Sequence, residues 1–279
     1  MPAPIAALPC DQPLPPMNRL LQLPPFRIPP TVRRSTVHCL LPLLLLLAAS
    51  PSPASEPVAA SASEWTSDMH RWLIEQMPGG TVTVHDGALV IDDDAGCTVW
   101  LREKLTAPVV ITYDATVVAR VGFNDRVSDL NCFWMARDPT ADDGCPFAAG
   151  HGRSGKFSDY DSLLTYYVGC GGNGNSTTRF RRYDGTPVRP LLPEHDLSEK
   201  RFLLEANKTY RIKLVARDGV AEFWRDGEKI FSYRDPAPLT DGWFAFRTVK
   251  SHLEIRHFRV EQPAPSTPKK ADGLTTNPH

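Results

Sequence analysis

From Trp65 onward the sequence is cut into short runs, β-branched or alternating, and nearly every run ends on a turn signal within about ten residues. Runs this short cannot present a long helical stripe, but they suit strands that pack one face of a sheet. Thr81–Val84 and Ala88–Asp92 flank His85-Asp86-Gly87, a tight hairpin signal, and Arg225-Asp226-Gly227-Glu228 is another. Cys97–Leu101, Val109–Val118, Asn131–Arg137, Ser162–Val168 and Thr177–Tyr183 read as strands. So do Tyr210–Arg217, Val220–Arg225, Glu228–Arg234, Trp243–Thr248 and Leu253–Val260. Helical periodicity is weak and confined to Met69–Gln76 and Leu197–Leu204. The expected fold is all-β, a two-sheet antiparallel jelly-roll sandwich.

The ends of the 279-residue chain have a different character. Residues 1–62 are expected to be a leader with a signal peptide. Cys39–Ser50 (CLLPLLLLLAAS) is too short to span a bilayer and suits a hydrophobic signal core, with Arg27, Arg33 and Arg34 ahead of it. Met17 is the expected start, and small residues at Ala48, Ala49, Ser55, Ala59 and Ala60 offer cleavage sites. The competing reading is an internal membrane anchor; Arg33-Arg34 fits a twin-arginine export signal poorly. Residues 63–262 are expected to form a single jelly-roll domain and residues 263–279 a disordered, polar, proline-rich tail. The expected location is secreted or periplasmic, with no membrane span after processing, and the domain is expected to be a monomer.

A formal charge of −1 and no long basic run argue against nucleic acid as a partner. Of the cysteines, Cys10 and Cys39 fall in the leader, leaving Cys97, Cys132, Cys145 and Cys170. Export permits disulfides, and Cys145–Cys170 is the expected pair because both lie in glycine-rich loops, with Cys97 and Cys132 left as buried strand thiols. No CxxC or histidine-rich spacing points to zinc. No cofactor and no metal site are expected, with a structural calcium ion left open.

Asn124–Tyr183 stands apart in chemistry. It carries four of the seven tyrosines and six arginines, broken up by glycines. Forked cationic donors, amides and amphipathic rings together suit a polar, hydroxyl-rich or carboxylate-bearing ligand. Strand alternation sorts them: Thr177, Arg179, Arg181 and Tyr183 share one face, Tyr167 points opposite to Tyr166, and Trp243, Ala245 and Arg247 point away from Phe244 and Phe246. If these strands are adjacent, they floor a groove holding Arg179, Arg181, Arg247, Tyr167 and Tyr183. The plainer reading pairs the arginines with Asp125, Asp129, Asp159 and Asp161 in surface salt bridges of little worth. Asp125–Asn131 (DRVSDLN) supplies Arg126 for a carboxylate and Asn131 for a hydroxyl, or else is only a turn entering a strand. Gly169–Asn175 (GCGGNGN) lets backbone approach a ligand at Asn173 but lacks the ending of a phosphate loop. His252 follows the Arg247 strand and could stand at the groove's edge, though a lone histidine is more often structural.

The run Asn207–Val260 resembles the closing strands of concanavalin A-like lectin/glucanase jelly rolls. Pro78-Gly79-Gly80, Asp125–Asn131, Tyr166-Tyr167-Val168-Gly169, Gly171-Gly172-Asn173 and Thr178–Tyr183 are similar to a family of exported bacterial jelly-roll domains of unassigned activity. The resemblance covers roughly residues 65 to 261. It implies the fold and an association with polysaccharide use, with a polysaccharide or oligosaccharide as partner, and carries over no catalytic residues.

Three chemistries follow from the residues. Glycosidases need two spaced carboxylates, and the strand pattern Glu-x-Asp-x-(x)-Glu of sandwich glucanases is missing here. β-Elimination of a uronic-acid polymer suits Arg, Asn, Tyr and His better. Arg and Asn would neutralise the carboxylate while Tyr or His moves the proton. The favoured function is therefore a polysaccharide lyase, with a glycoside hydrolase or a non-catalytic binding domain as alternatives. Tyr167, His252 and Arg179 are the candidate catalytic residues, and Arg126, Asn131, Asn173, Arg181, Tyr183 and Arg247 the candidate binding residues.

Overall fold

Three Asp-Gly turns punctuate the back of the molecule. Asp86-Gly87, Asp218-Gly219 and Asp226-Gly227 all take left-handed φ values, between 48° and 84°, and each joins two strands through a two-residue loop. Left-handed backbone at both central residues matches the twist of the flanking strands, which is why Asp-Gly recurs there. Two of these hairpins are the ones expected from sequence.

A computed structural model describes residues 68–262. The expectations of a leader with its signal peptide, a start at Met17 and a disordered tail concern residues outside that range. In chain order the strands are β1 (Trp72–Gln76), β2 (Thr81–His85), β3 (Ala88–Asp92), β4 (Cys97–Leu101), β5 (Leu105–Thr106), β6 (Val109–Val118), β7 (Leu130–Arg137) and β8 (Leu164–Gly171). They continue as β9 (Thr177–Asp184), β10 (Asp196–Leu197), β11 (Thr209–Arg217), β12 (Val220–Arg225), β13 (Glu228–Arg234), β14 (Asp241–Thr248) and β15 (His252–Glu261). The front sheet runs β1-β4-β14-β7-β8-β9-β10, with β5 against the start of β14, and the back sheet β13-β12-β11-β6-β15-β3-β2. All pairings within them are antiparallel. The fold is the expected two-sheet sandwich.

Alternation places the core between the sheets. Ile111 and Tyr113 of β6 meet Phe244 and Phe246 of β14, and Tyr166, Val168 and Phe180 close the far side. A second apolar cluster lies on the outer face of the front sheet. There Trp100, Phe133, Tyr167, Tyr183 and Trp243 are roofed by Phe147, Tyr160 and Leu163, from the long crossing between β7 and β8. Strand β14 is therefore buried on both faces, which is why Asp241–Thr248 shows no exposed residue.

Both weak helical signals are corrected by the structure. Met69–Gln76 is a single turn, Met69–Arg71, followed by β1, because Trp72–Gln76 pairs residue by residue with Leu101–Cys97. Leu197–Leu204 divides between β10 and a short turn at Lys200–Phe202. Tertiary pairing overrides such marginal periodicity. The Cys145–Cys170 disulfide is also corrected: Cys170 is a free thiol, buried with Val168 and Phe180 in the core. It belongs to a strand and not a loop. Cys97 and Cys132 are free and buried, as expected.

Candidate functional site

The outer face of the front sheet is where the candidate residues gather. The register brings Tyr167 opposite Arg181 and Gly169 opposite Arg179, and Arg247 opposite Asn131, so β9, β8, β7 and β14 lie side by side. The crossing at 138–163 then folds over half of this face. Glu75 of β1 anchors it, accepting from the Trp100 indole at 2.8 Å, the Tyr160 hydroxyl at 2.9 Å and the Arg153 amide at 2.6 Å. Arg153 in turn pairs with Asp138 at 2.6 Å. Burial raises the Glu75 pKa despite these donors.

Under that roof two expected ligand contacts are sealed. The Arg247 side chain donates to the Gly155 carbonyl at 2.5 Å and to Thr98 Oγ1 at 3.2 Å, and its guanidinium stands over the Phe157 and Tyr160 rings. It clamps the roof and is 1% exposed, which removes it from any ligand's reach. Tyr183 is equally buried in the outer cluster and is likewise removed. His252 opens β15 in the back sheet and holds Asp125 at 2.8 Å, outside the cavity. Arg247 and Tyr183 do lie on the outer face that strand alternation gave them; alternation carries no information about the cover above it.

The uncovered half forms a cavity of about 340 Å³. Six candidates line it: Arg126, Asn131, Tyr167, Asn173, Arg179 and Arg181. They are joined by Asp129, expected from sequence only as a salt-bridge partner and found paired with Arg126, and by residues that the sequence did not single out, chiefly Arg189, Phe157 and Val249. Arg189 lies beyond the singled-out stretch, and its only sequence signal is its seat beside Pro190 in a proline-rich loop.

Local backbone explains the shape. Gly171, Asn173, Gly174 and Asn175 are all left-handed, a run that Gly and Asn adopt most readily, and it turns β8 sharply into β9 at the cavity rim. Gly169 has a separate task. A Cβ there would meet the Tyr167 hydroxyl at 2.8 Å.

Charge is uneven. Arg126 pairs with Asp129 at 2.9 Å and also donates to the carbonyls of Val249 and Lys250. Arg179 forks onto Asp196 at 2.7 and 3.0 Å, and Arg189 onto Asp161 at 2.7 and 2.9 Å. The Arg179 pair holds the Asp196 carboxyl below the usual range. Among the described residues Arg181 donates only to the carbonyls of Arg189 and Pro190, at 2.9 and 3.1 Å, and forms no ion pair. Four arginines answered by three aspartates leave one positive charge over, at Arg181.

Asp129 is held by three side-chain donors. It accepts from Arg126, from Ser128 Oγ at 2.5 Å and from Asn131 Nδ2 at 3.2 Å. A carboxylate can only accept, so it turns the Asn131 amide nitrogen toward itself and leaves Oδ1, buried and without a partner among the described residues. Tyr167 packs against Phe133, Phe157 and Tyr183, with centroids 5.1 to 5.9 Å away. Burial, reinforced by Tyr183 and Asp129, pushes its hydroxyl pKa well above 10 against the pull of Arg247 and Arg181. The cavity thus offers a free cation, a buried acceptor and a protonated phenol. Among the described residues no cluster of three or more His, Cys, Asp or Glu could hold a metal, and no helix is long and apolar enough to cross a membrane.

A family model described as a domain of unknown function, DUF6250, matches residues 91–258. No curated protein sequence matches the chain. Among solved structures, a Bacillus subtilis protein of unknown function with a galectin-like fold superposes with a TM-score of 0.55 at 20% identity, covering 72% of this chain and 94% of that one. A Bacillus subtilis carbohydrate-binding module, CBM66, gives 0.47 at 11% identity, covering 69% and 96%. The carbohydrate recognition domain of Emp47p gives 0.45 at 13% identity, covering 73% and 94%. At such identities the likeness to the first is one of fold alone.

Proposed function

The chain belongs to the DUF6250 family of domains of unknown function, and we propose that it binds an acidic saccharide in the arginine-lined cavity. The observation that carries this is Arg181, a guanidinium with no carboxylate partner among the described residues, facing a cavity whose other arginines are already paired. A uronate carboxylate supplies the missing anion, and a sugar hydroxyl supplies the donor that Asn131 Oδ1 lacks. The Phe157 and Tyr167 rings give an apolar wall for the sugar's C–H face.

Binding is favoured over elimination for a chemical reason. A lyase needs a base at the sugar's acidic carbon. Tyr167, with its raised pKa, is a proton donor at neutral pH and not a base. Asp129 is already engaged by Arg126, Ser128 and Asn131, and His252 lies outside the cavity. Hydrolysis would need a second carboxylate beside Asp129, and no other lines the cavity among the described residues.

The test is calorimetric titration with oligogalacturonate and oligoglucuronate beside their neutral counterparts. Binding of an acidic oligomer, lost in Arg181→Ala, supports the reading; equal affinity for neutral sugars overturns it. Ultraviolet absorbance in the same mixtures, rising as an unsaturated uronate forms, would restore the lyase.

A further inference from the structure

Strand β10 pairs with β9 only at Thr178 and Arg179. Beyond that point no strand among the described residues pairs with that edge of β9, and a second hollow of about 470 Å³ lies along it. Its walls are apolar, from Phe180, Tyr233, Pro190 and Leu192, and Leu192 is an exposed large hydrophobic residue at 43%. Its own ion pair is complete. Arg182 is paired with Asp235 at 2.7 Å, and Arg181 is the cation it shares with the first cavity. The hollow therefore has no call for a second anion.

One polar group in it is unanswered. His195 is 7% exposed and stands edge-on to Phe180 at 4.9 Å and Tyr233 at 5.8 Å. Its ring nitrogens make no hydrogen bond among the described residues, although it lines the hollow. Burial lowers its pKa, so the ring is neutral and offers one donor and one acceptor. The ring nitrogens are not sealed off but open on the hollow, where a ligand's hydrogen-bonding group can take the place of water.

The two cavities share a residue. Arg181 lines both, and its bonds to the carbonyls of Arg189 and Pro190 hold that segment between them, with Arg189 facing the first and Pro190 the second. A ligand whose carboxylate sits on Arg181 thus stands at the residue where the two hollows meet. Resting on the acidic-saccharide reading, we infer that the ligand is an acidic sugar bearing an aromatic substituent with a hydrogen-bonding group, the ring lying between Tyr233 and Leu192 and that group meeting His195.

The probes are 4-nitrophenyl β-D-glucuronide, methyl β-D-glucuronide and 4-nitrophenyl β-D-glucoside, titrated calorimetrically into the full chain. The aryl glucuronide should bind at least about tenfold more tightly than the methyl compound, the scale on which an aromatic ring is desolvated in an apolar hollow. That ratio should collapse toward one in Leu192→Asp, an exposed position chosen because His195→Leu alters a buried one. Equal affinities for the two glucuronides overturn the inference and leave the acidic-saccharide reading standing. Binding of the aryl glucoside but neither glucuronide overturns that reading and the composite ligand with it. No binding of any probe overturns the inference, and the oligouronate titration decides the acidic-saccharide reading separately.

Discussion

The hydroxyl of Tyr167 lies directly above Gly169, two residues along the same strand, where any Cβ would meet it at 2.8 Å. The ring cannot move aside, because Phe133, Phe157 and Tyr183 enclose it. Gly169→Ala should therefore destabilise the domain by about 1–3 kcal/mol, the usual scale of overpacking. Tyr167→Phe should recover much of that loss in the double variant, since it removes the clashing oxygen. Chemical denaturation of the four proteins in this cycle measures the coupling, and strictly additive effects would show that the contact is not as described.

The arginines of the cavity should not be equivalent. Removing Arg181 deletes the one guanidinium without a carboxylate partner, and should cost about 2 kcal/mol in affinity for an acidic sugar, the scale of a charged hydrogen bond. Arg179 is held by both oxygens of Asp196, so Arg179→Ala should weaken binding less. Calorimetric titration ranks the two, and the reverse order would mean that Asp196 releases Arg179 to the ligand.

Glu75 should impose a pH dependence on stability. Its folded pKa is raised above 4.5, chiefly by burial. A raised folded pKa means that its favourable contribution is complete below the unfolded value and is lost as pH rises through the folded one. Stability should fall with pH on the alkaline side of 4.5 more steeply in the native protein than in Glu75→Gln. Denaturation midpoints across mildly acidic to neutral pH test this, and parallel curves would refute it.

The three free thiols among the described residues should be inert. Cys97, Cys132 and Cys170 are buried, and burial raises all three pKa values, that of Cys132 to about 12. The thiolate is the reactive form. A thiol-specific chromogenic reagent should therefore find these cysteines only after denaturant is added. Fast labelling of Cys170 in the native state would contradict its place in the core.

What the residues determined alone is local. Period-two alternation assigned Tyr167, Arg179, Arg181 and Arg247 to one side of their strands, and the Asp-Gly pairs marked two hairpins, because strand parity and turn chemistry act over a few residues. The weak periodicity of Met69–Gln76 misled, since pairing with Cys97–Leu101 decides that segment. Only the tertiary structure determined which outward residues stay open. Residues 138–163 are long, polar in part and without strand pattern. Nothing local says that Tyr160 and Arg153 will meet Glu75, 85 and 78 residues away, and draw the crossing over Arg247 and Tyr183. The same holds for Arg189, brought to the cavity by Asp161, and for Arg181, whose lack of an anion is a property of its neighbours in space. Alternation specifies a direction for each side chain; burial and ion pairing depend on chain segments far away in sequence, and these decide what a ligand can touch.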